Sequence, residues 1–332
     1  MNKVIIREVR KSYQPIVDYL LVHKEFDIIN LLDKDETPIQ SKKAWLKQGL
    51  AAAWSMLLHL GFIRQAHESV VLIGNYSAVF ALLLNRLHLI RPKQLYWWGF
   101  FLHGKKAQRI MARAMRFLYS PNVRFIVFST YELELYRELF SLNSDAFIHI
   151  PYGDWAGIGS EAEASTIGDY YFAGGYTNRD YRGLIQAWKD IDEKLIIIGS
   201  ANNADLAEYV QSPTNDRITV LLDTDGKTFD KYLRGANACI QPFTSNTGAS
   251  GQTVALRAMR LGKVMISTDI SAMREYIKDG RTGILLNDMN ELPDVISRLD
   301  SYTIEMMRIS QEDLYREKFS REAVLRALDN VM

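Results

Sequence analysis

From Tyr170 to Leu286 the sequence repeats one pattern: a short unbroken apolar run, a turn of small residues, then an amphipathic stretch of helical length. The apolar runs are Tyr170-Tyr171-Phe172-Ala173, Leu195-Ile196-Ile197-Ile198, Ile218 to Leu222, Ala238 to Pro242, Val264-Met265-Ile266-Ser267 and Ile284-Leu285-Leu286. Between them Tyr181 to Lys189, Ala204 to Val210, Phe229 to Arg234, Val254 to Gly262 and Ala272 to Asp279 read as helices. Strands that are apolar on both faces and alternate with helices form a parallel sheet covered on both sides. In such a doubly wound α/β domain, ligands sit beyond the carboxyl ends of the strands.

The first half carries a weaker form of the same pattern. Val70-Val71-Leu72-Ile73-Gly74, Gln94 to Trp98, Arg124 to Phe128 and Phe147 to Ile150 read as strands, and Ile28 to Leu32 is a further candidate. Ala44 to Leu60, Val79 to Leu87 and Tyr131 to Phe140 read as helices, the last capped by Ser129 or Thr130. The turn Pro151-Tyr152-Gly153-Asp154 leads into a small, polar stretch, 156–168, the best linker candidate. The expected organisation is a domain over 1–152, a linker over 153–168, a domain over 169–303 and charged helices over 304–332.

With 332 residues, two domains are expected rather than one large core. Apolar residues make up 48% and charged residues 24%, an ordinary soluble composition, and no apolar run is long enough to span a bilayer. The first ten residues alternate charge with apolar side chains and lack a signal-peptide core. The one cysteine, Cys239, lies in a predicted strand and reads as a small buried residue. These features fit the cytosol. The net charge of +1 hides an asymmetry. Residues 1–150 hold 20 Lys/Arg against 12 Asp/Glu, and residues 151–332 hold 20 against 27. Ser69 to Tyr131 contain no acid but nine Lys/Arg, which implies an anionic partner for the first half. No nucleic-acid recognition motif accompanies this charge, so nucleic acid is the weaker choice.

The loop Thr247-Gly248-Ala249-Ser250-Gly251-Gln252-Thr253 opens a helix. Backbone N–H groups there lack intrahelical partners and the helix dipole favours an anion, so the loop suits a phosphate. The residues beyond this loop carry a family likeness. Ala258-Met259 with Gly262-Lys263, then Glu275-Tyr276-Ile277, then Asp279-Gly280 with Gly283, resembles the nucleotide-sugar half of GT-B glycosyltransferases, most of all the large retaining family four. The resemblance implies an α/β GT-B fold, two Rossmann-like doubly wound domains facing across a cleft, with the last helix crossing back to the first domain. It also implies transfer of a sugar from a nucleoside-diphosphate sugar to a saccharide or a polyprenyl-diphosphate-linked acceptor, in surface polysaccharide or glycolipid synthesis, without a metal or other cofactor. An Asp-x-Asp sequence at Asp223-Thr224-Asp225 lies in surroundings unlike those of metal-dependent glycosyltransferases, and no metal site is expected.

By the same resemblance, Gly175, Tyr176, Thr177, Ser200 and Glu275 join Thr247, Gly248, Ser250, Gly251, Gln252 and Thr253 as donor contacts. Arg182-Gly183 resembles the family's Lys-Gly pair, which steadies the departing diphosphate, and Arg179 stands in for a second cation where Tyr176 occupies its usual place. The chain departs from the family at its pair of glutamates. Arg257 stands where the second belongs and Ala249 eight residues earlier. Arg257 either meets phosphate or lies solvated.

In the first half, the family's histidine at a strand end has no counterpart in Leu95-Tyr96-Trp97-Trp98-Gly99, and His103, a few residues on, is the candidate sugar contact or base. Asn75, Tyr76 and Trp98 are candidate acceptor contacts, although Trp98, like Trp97, suits the core better. Lys105, Lys106, Arg109, Arg113 and Arg116 form the basic side of an amphipathic segment, either a surface for an anionic membrane or a solvated helix face. A peripheral place on the inner face of a cell membrane follows from the first reading. Two alternatives stay open: an inverting enzyme of the same fold, with a base in the first domain, and a partner subunit that keeps the fold without the chemistry.

Overall fold

The computed structural model describes residues 2–9, 13–32, 42–102, 104–154, 168–245 and 250–332, with backbone alone for Val9, 42–46 and Lys105. The chain divides between Ile150 and Pro151 into two compact units.

Unit 1 runs β1 (Lys3–Val9), α1 (Gln14–His23), β2 (Asp27–Leu32), α2 (Lys42–Leu58), α3 (Leu60–Ile63), β3 (Ser69–Ile73), α4 (Asn75–Arg86), β4 (Gln94–Trp98), α5 (Lys105–Leu118), β5 (Val123–Val127), α6 (Thr130–Phe140) and β6 (Phe147–His149). The strands form one parallel sheet in the order β2-β1-β3-β4-β5-β6. Strand order reverses between β1 and β3, which makes the gap beyond their carboxyl ends the unit's switch point. A core of Val4, Ile6, Val70, Leu72, Trp97 and Phe125 fills one face of the sheet beneath α4, α5 and α6. Neither β1 nor α1 was expected from the sequence. Lys3 and Arg7 interrupt the apolar run of β1, yet Val4, Ile5 and Ile6 are fully buried because both neighbouring strands pair with it.

Unit 2 runs β7 (Tyr171–Gly174), α7 (Tyr181–Ala187), β8 (Leu195–Gly199), α8 (Ala204–Gln211), β9 (Ile218–Leu222), α9 (Gly226–Gly235), β10 (Cys239–Gln241), α10 (Gln252–Arg260), β11 (Met265–Thr268), β12 (Gly283–Leu286), α11 (Leu292–Arg298), α12 (Ser301–Leu314) and α13 (Arg321–Asp329). Its parallel sheet has the order β12-β11-β10-β7-β8-β9, with the reversal between β7 and β10. One face carries Tyr181, Leu184, Trp188 and Leu206; the other carries Phe229, Leu233, Ala255 and Met259. Cys239 is fully buried in β10, and burial pushes its thiol pKa up to about 12. The helix expected over 272–279 is a single 3-10 turn, Met273–Glu275, after which Tyr276 and Ile277 turn into the core. Residues 155–167, most of the expected linker, lie outside the described residues.

The tail is fastened to unit 2 by a buried ionic knot. The Asp154 carboxylate accepts from Arg260 on α10 at 3.2 Å and from the Tyr315 hydroxyl at 3.2 Å, while Arg260 also reaches Asp230 on α9 at 3.5 Å. Phe319 stacks on Tyr276 with ring centroids 4.8 Å apart. Removing one partner of such a group leaves the others buried without compensation. Arg260→Met should therefore destabilise unit 2 by about 3 kcal/mol, and Tyr315→Phe by about 1 kcal/mol, both read from urea denaturation.

Several helices begin with a side-chain cap of the usual kind: Ser129, Asp180, Asn203, Asp225, Asp300 and Ser320 each accept from an N–H of the following first turn. Helix α4 is capped differently. Its N-cap, Gly74, has no side chain, and the Glu8 carboxylate at the end of β1 accepts from the Ser77 N–H. Gly74 lies at φ 139°, and a Cβ there would come within 2.3 Å of the Glu8 side chain. Burial raises the Glu8 pKa above its ordinary 4.5, outweighing the helix N–H groups that favour its charge. The native state therefore holds the proton more tightly than the unfolded chain. The contribution of Glu8 to stability is greatest below its unfolded pKa and declines as the pH rises through the folded one. Glu8→Gln, which keeps an acceptor but cannot ionise, should gain melting temperature relative to the native protein as the pH is raised from about 4 to 7.

Candidate functional site

The two switch points are built from similar parts and end differently. In unit 2 the strand exits follow one another across the sheet in the order β11, β10, β7, β8. The expected donor residues stand on these four exits: Glu275 after β11, Ser250 to Thr253 after β10, Gly175 to Thr177 after β7 and Ser200 after β8. Thr247 and Gly248 lie outside the described residues.

The loops after β7 and β10 are stitched together. Arg179 and Phe243 form an antiparallel bridge, and the Asp180 N–H donates to the Pro242 carbonyl at 3.0 Å. The Asn178 carboxamide adds four bonds. Its oxygen accepts from the Thr244 hydroxyl at 2.6 Å and the Ser245 hydroxyl at 3.0 Å, and its nitrogen donates to the Ser245 carbonyl at 2.8 Å and the Ser250 hydroxyl at 3.3 Å. Asn178 takes a left-handed conformation, φ 55°, which asparagine tolerates better than most residues. Gly175 and Gly251 are required here on two counts each. Both have positive φ, and a Cβ would meet Arg179 at 2.6 Å in the first case and the Phe243 ring at 2.4 Å in the second.

The cations do not stand where the sequence suggested. Arg179 is only 6% exposed and works as a strut. It donates to the Gly174 and Thr177 carbonyls at 3.3 and 2.8 Å and to the Gln241 Oε1 at 3.3 Å, and it lies 4.3 Å over the Phe243 ring. Burial lowers its pKa, although its charge persists at any physiological pH. The Arg182 side chain is 74% exposed and is turned to α8, where it pairs with Asp205 at 2.8 Å and Glu208 at 3.6 Å. Arg257, with its side chain 30% exposed, is turned to α9. It lies 3.7 Å from Asp230 and 5.2 Å over the Phe229 ring, both on α9.

Among the described residues, the loops leave the start of α10 open. Its N-cap Gly251 has no side chain and supplies only its carbonyl, which accepts from Ala255 at 2.9 Å. The first-turn N–H groups therefore point out of the helix beside the stitched loops. The Gln252 side chain is buried, with its Nε2 unpartnered among the described residues. Tyr176 and Thr177 lie exposed on the neighbouring turn. Asp223 and Asp225 are engaged in turn-building: Asp223 accepts from the Ala201 N–H at 3.2 Å, and Asp225 caps α9 through Thr228 at 2.8 Å. The Ser200 hydroxyl accepts from the Asn202 N–H at 3.2 Å.

Unit 1 lacks the corresponding opening, because Glu8 occupies the start of α4. A cavity of about 1120 Å³ lies beside it instead. Asn75, Tyr76 and Trp98 all line it, with Glu8 and Tyr13 at the same end and apolar residues of α4 and α5 along its body. Trp98 is also packed against Tyr13 and Phe128. His103 lies outside the described residues. On α5, Met115 and Leu118 join the core and Met111 and Ala114 pack against it, so this stripe faces inward. Lys106, Arg109, Arg113 and Arg116 are exposed. Among the described residues no helix is long and apolar enough to cross a membrane.

Asn178, Gln241, Thr244 and Ser245 were not anticipated as site residues. Their only sequence signal is a polar turn after each of two apolar strands, and the bonds between the turns span more than 60 positions. Glu8 was missed with the strand that carries it.

Comparison with known proteins supports the same reading of the architecture. Residues 169–301 match the family described as glycosyl transferases group 1. Among solved structures, Anabaena HepE in complex with UDP and glucose superposes with a TM-score of 0.72 at 11% identity, covering 100% of this chain and 99% of that one. Sucrose-phosphate synthase from Thermosynechococcus elongatus gives 0.69 at 14% identity, covering 100% and 98%. TarM gives 0.62 at 15% identity, covering 83% and 58%. No curated protein matches the sequence. The chain thus has the GT-B fold, two parallel six-stranded sheets with flanking helices, and residues 169–301 match the group 1 glycosyl transferases.

Proposed function

We propose that the protein transfers a sugar from a nucleoside-diphosphate sugar held by unit 2 to an acceptor held by unit 1. The observation that carries this is the uncapped start of α10 beside loops that Asn178 and Arg179 hold together. N–H groups fixed before the ligand arrives stabilise charge that develops on a departing diphosphate. HepE, with the same fold, is known in complex with UDP-glucose. The family match adds weight to a retaining outcome, and the engagement of Glu8 with α4 weighs against its serving as the base of an inverting one. The engagement of Asp223 with the Ala201 N–H and of Asp225 as the cap of α9 favours a donor bound without metal.

A second reading, a partner subunit without chemistry, is favoured by the fate of the cations. Arg179, Arg182 and Arg257 are all engaged by protein groups. One measurement separates the two. In thermal shift with UDP, GDP, dTDP, ADP and CMP, with and without Mg²⁺, the transferase reading expects one diphosphate to raise the melting temperature by several degrees without metal. That corresponds to about 2.7 kcal/mol at a hundredfold excess over Kd. Asn178→Ala and Gly251→Ala should each reduce the shift at least tenfold in apparent affinity, whereas Arg182→Ala should leave it unchanged. Folded protein that responds to no nucleotide would leave the partner-subunit reading in its place.

A further inference from the structure

The unit 1 cavity has the character of a chain-binding site. Its body lies between two helices that run the same way: Val79, Phe80 and Leu83 of α4 form one wall, and Ile110, Met111 and Leu118 of α5 the other. From Asn75 to Leu83 this spans about 12 Å at 1.5 Å per residue. The polar residues gather at one end, around Glu8, Asn75 and Tyr76. Trp97 and Trp98 line the cavity and are at most 2% exposed, and their indole N–H groups have no partner among the described residues. Ile110 is 58% exposed although it belongs to the wall, so the cavity opens along α5. On that helix Lys106 adjoins the lining residue Ala107, and Arg109 and Arg113 flank Ile110; all three cations are exposed. They belong to the acid-free stretch 69–131. An apolar slot with a cationic mouth complements a molecule with one apolar chain and one anionic head.

We propose that this cavity binds the apolar chain of a phosphate-headed lipid, with the phosphate outside against Lys106, Arg109 and Arg113 and the chain between α4 and α5. The inference deepens the proposed function and rests on it for the role of this lipid as acceptor. The occupancy of the cavity is tested independently of the donor.

The probe is a series of single-chain alkyl phosphates of increasing length, with the matching alcohols, kept below their micelle concentrations. Binding is read from quenching of tryptophan fluorescence by chains carrying a doxyl label, since Trp97 and Trp98 line the cavity. Affinity should rise about fourfold per added methylene until the slot is filled and then level off. The phosphates should bind at least tenfold more tightly than the alcohols at low salt. Arg109→Glu combined with Arg113→Glu should remove that preference and leave alcohol binding unchanged. Ala107→Trp, at the exposed mouth, should weaken both ligands at least tenfold; Val79→Trp fills the body and serves where the first variant folds poorly. Absence of saturable quenching would overturn the proposal. So would wild-type affinity in both tryptophan variants, or displacement by inorganic phosphate as effective as by alkyl phosphate, which would mark a free-phosphate site. A nucleotide-induced thermal shift without lipid binding would sink this inference alone, and lipid binding without the shift would sink the donor reading alone.

Discussion

The candidate site depends on the bond between two turns that the sheet itself keeps apart. Strand order reverses between β7 and β10, and their following helices, α7 and α10, cover opposite faces. A crevice is the natural result, and nothing in the ladder of strand hydrogen bonds closes it. Here Asn178 and Arg179 span it, one with a carboxamide that both donates and accepts, the other with a guanidinium aimed at two carbonyls and a glutamine. Buried arginine is costly unless its N–H groups are met, and here they are met by Gly174 and Gln241 at the ends of β7 and β10 and by Thr177 in the loop after β7. The cost of burying this charge is offset only when both turns are in place, which makes their relative position a folded-state property.

The contrast with unit 1 lies at the helix starts of the two switch points. Both place a helix start at the switch point beside a glycine with positive φ, Gly74 before α4 and Gly251 before α10. In unit 1 a protein carboxylate fills the place an anion would take. In unit 2 no side chain among the described residues caps the same place. On the proposed reading a phosphate would meet the Glu8 carboxyl in the first and N–H dipoles in the second, which favours unit 2 for the diphosphate. The excess of cations in unit 1 is carried instead on the exposed side of α5, away from the sheet.

Much of this architecture was legible because parallel strands buried on both faces leave an unmistakable trace. Leu195 to Gly199 and Ile218 to Leu222 were found nearly to the residue. The trace fails where a strand carries charge, as β1 does with Lys3 and Arg7, one of which pairs with Asn30 and Gln14 beyond the sequence window. It fails too where local propensity is overruled: 272–279 has helical spacing, but the core takes Tyr276 and Ile277 and allows only one turn. Their small residues mark the loops after β7 and β10 in the sequence, whereas the partners of the loops' side chains leave no such mark. Arg182 resembles a phosphate ligand until the fold brings Asp205, 23 positions away, within 2.9 Å.

Arg257 is spent on Asp230 and Phe229, joining α10 to α9. Arg260, one turn on, makes the same kind of contact to Asp230 and Asp154. The outward face of α10 has thus become a packing surface, and sugar or ribose recognition on the proposed reading passes to neutral groups at its start: backbone N–H, the Gln252 amide and the hydroxyls of Ser250 and Thr253. Neutral donors are screened by salt far less than exposed cations are. Binding of the diphosphate should accordingly weaken little between low and physiological ionic strength, while any anion held by the exposed arginines of α5 should be strongly salt-sensitive.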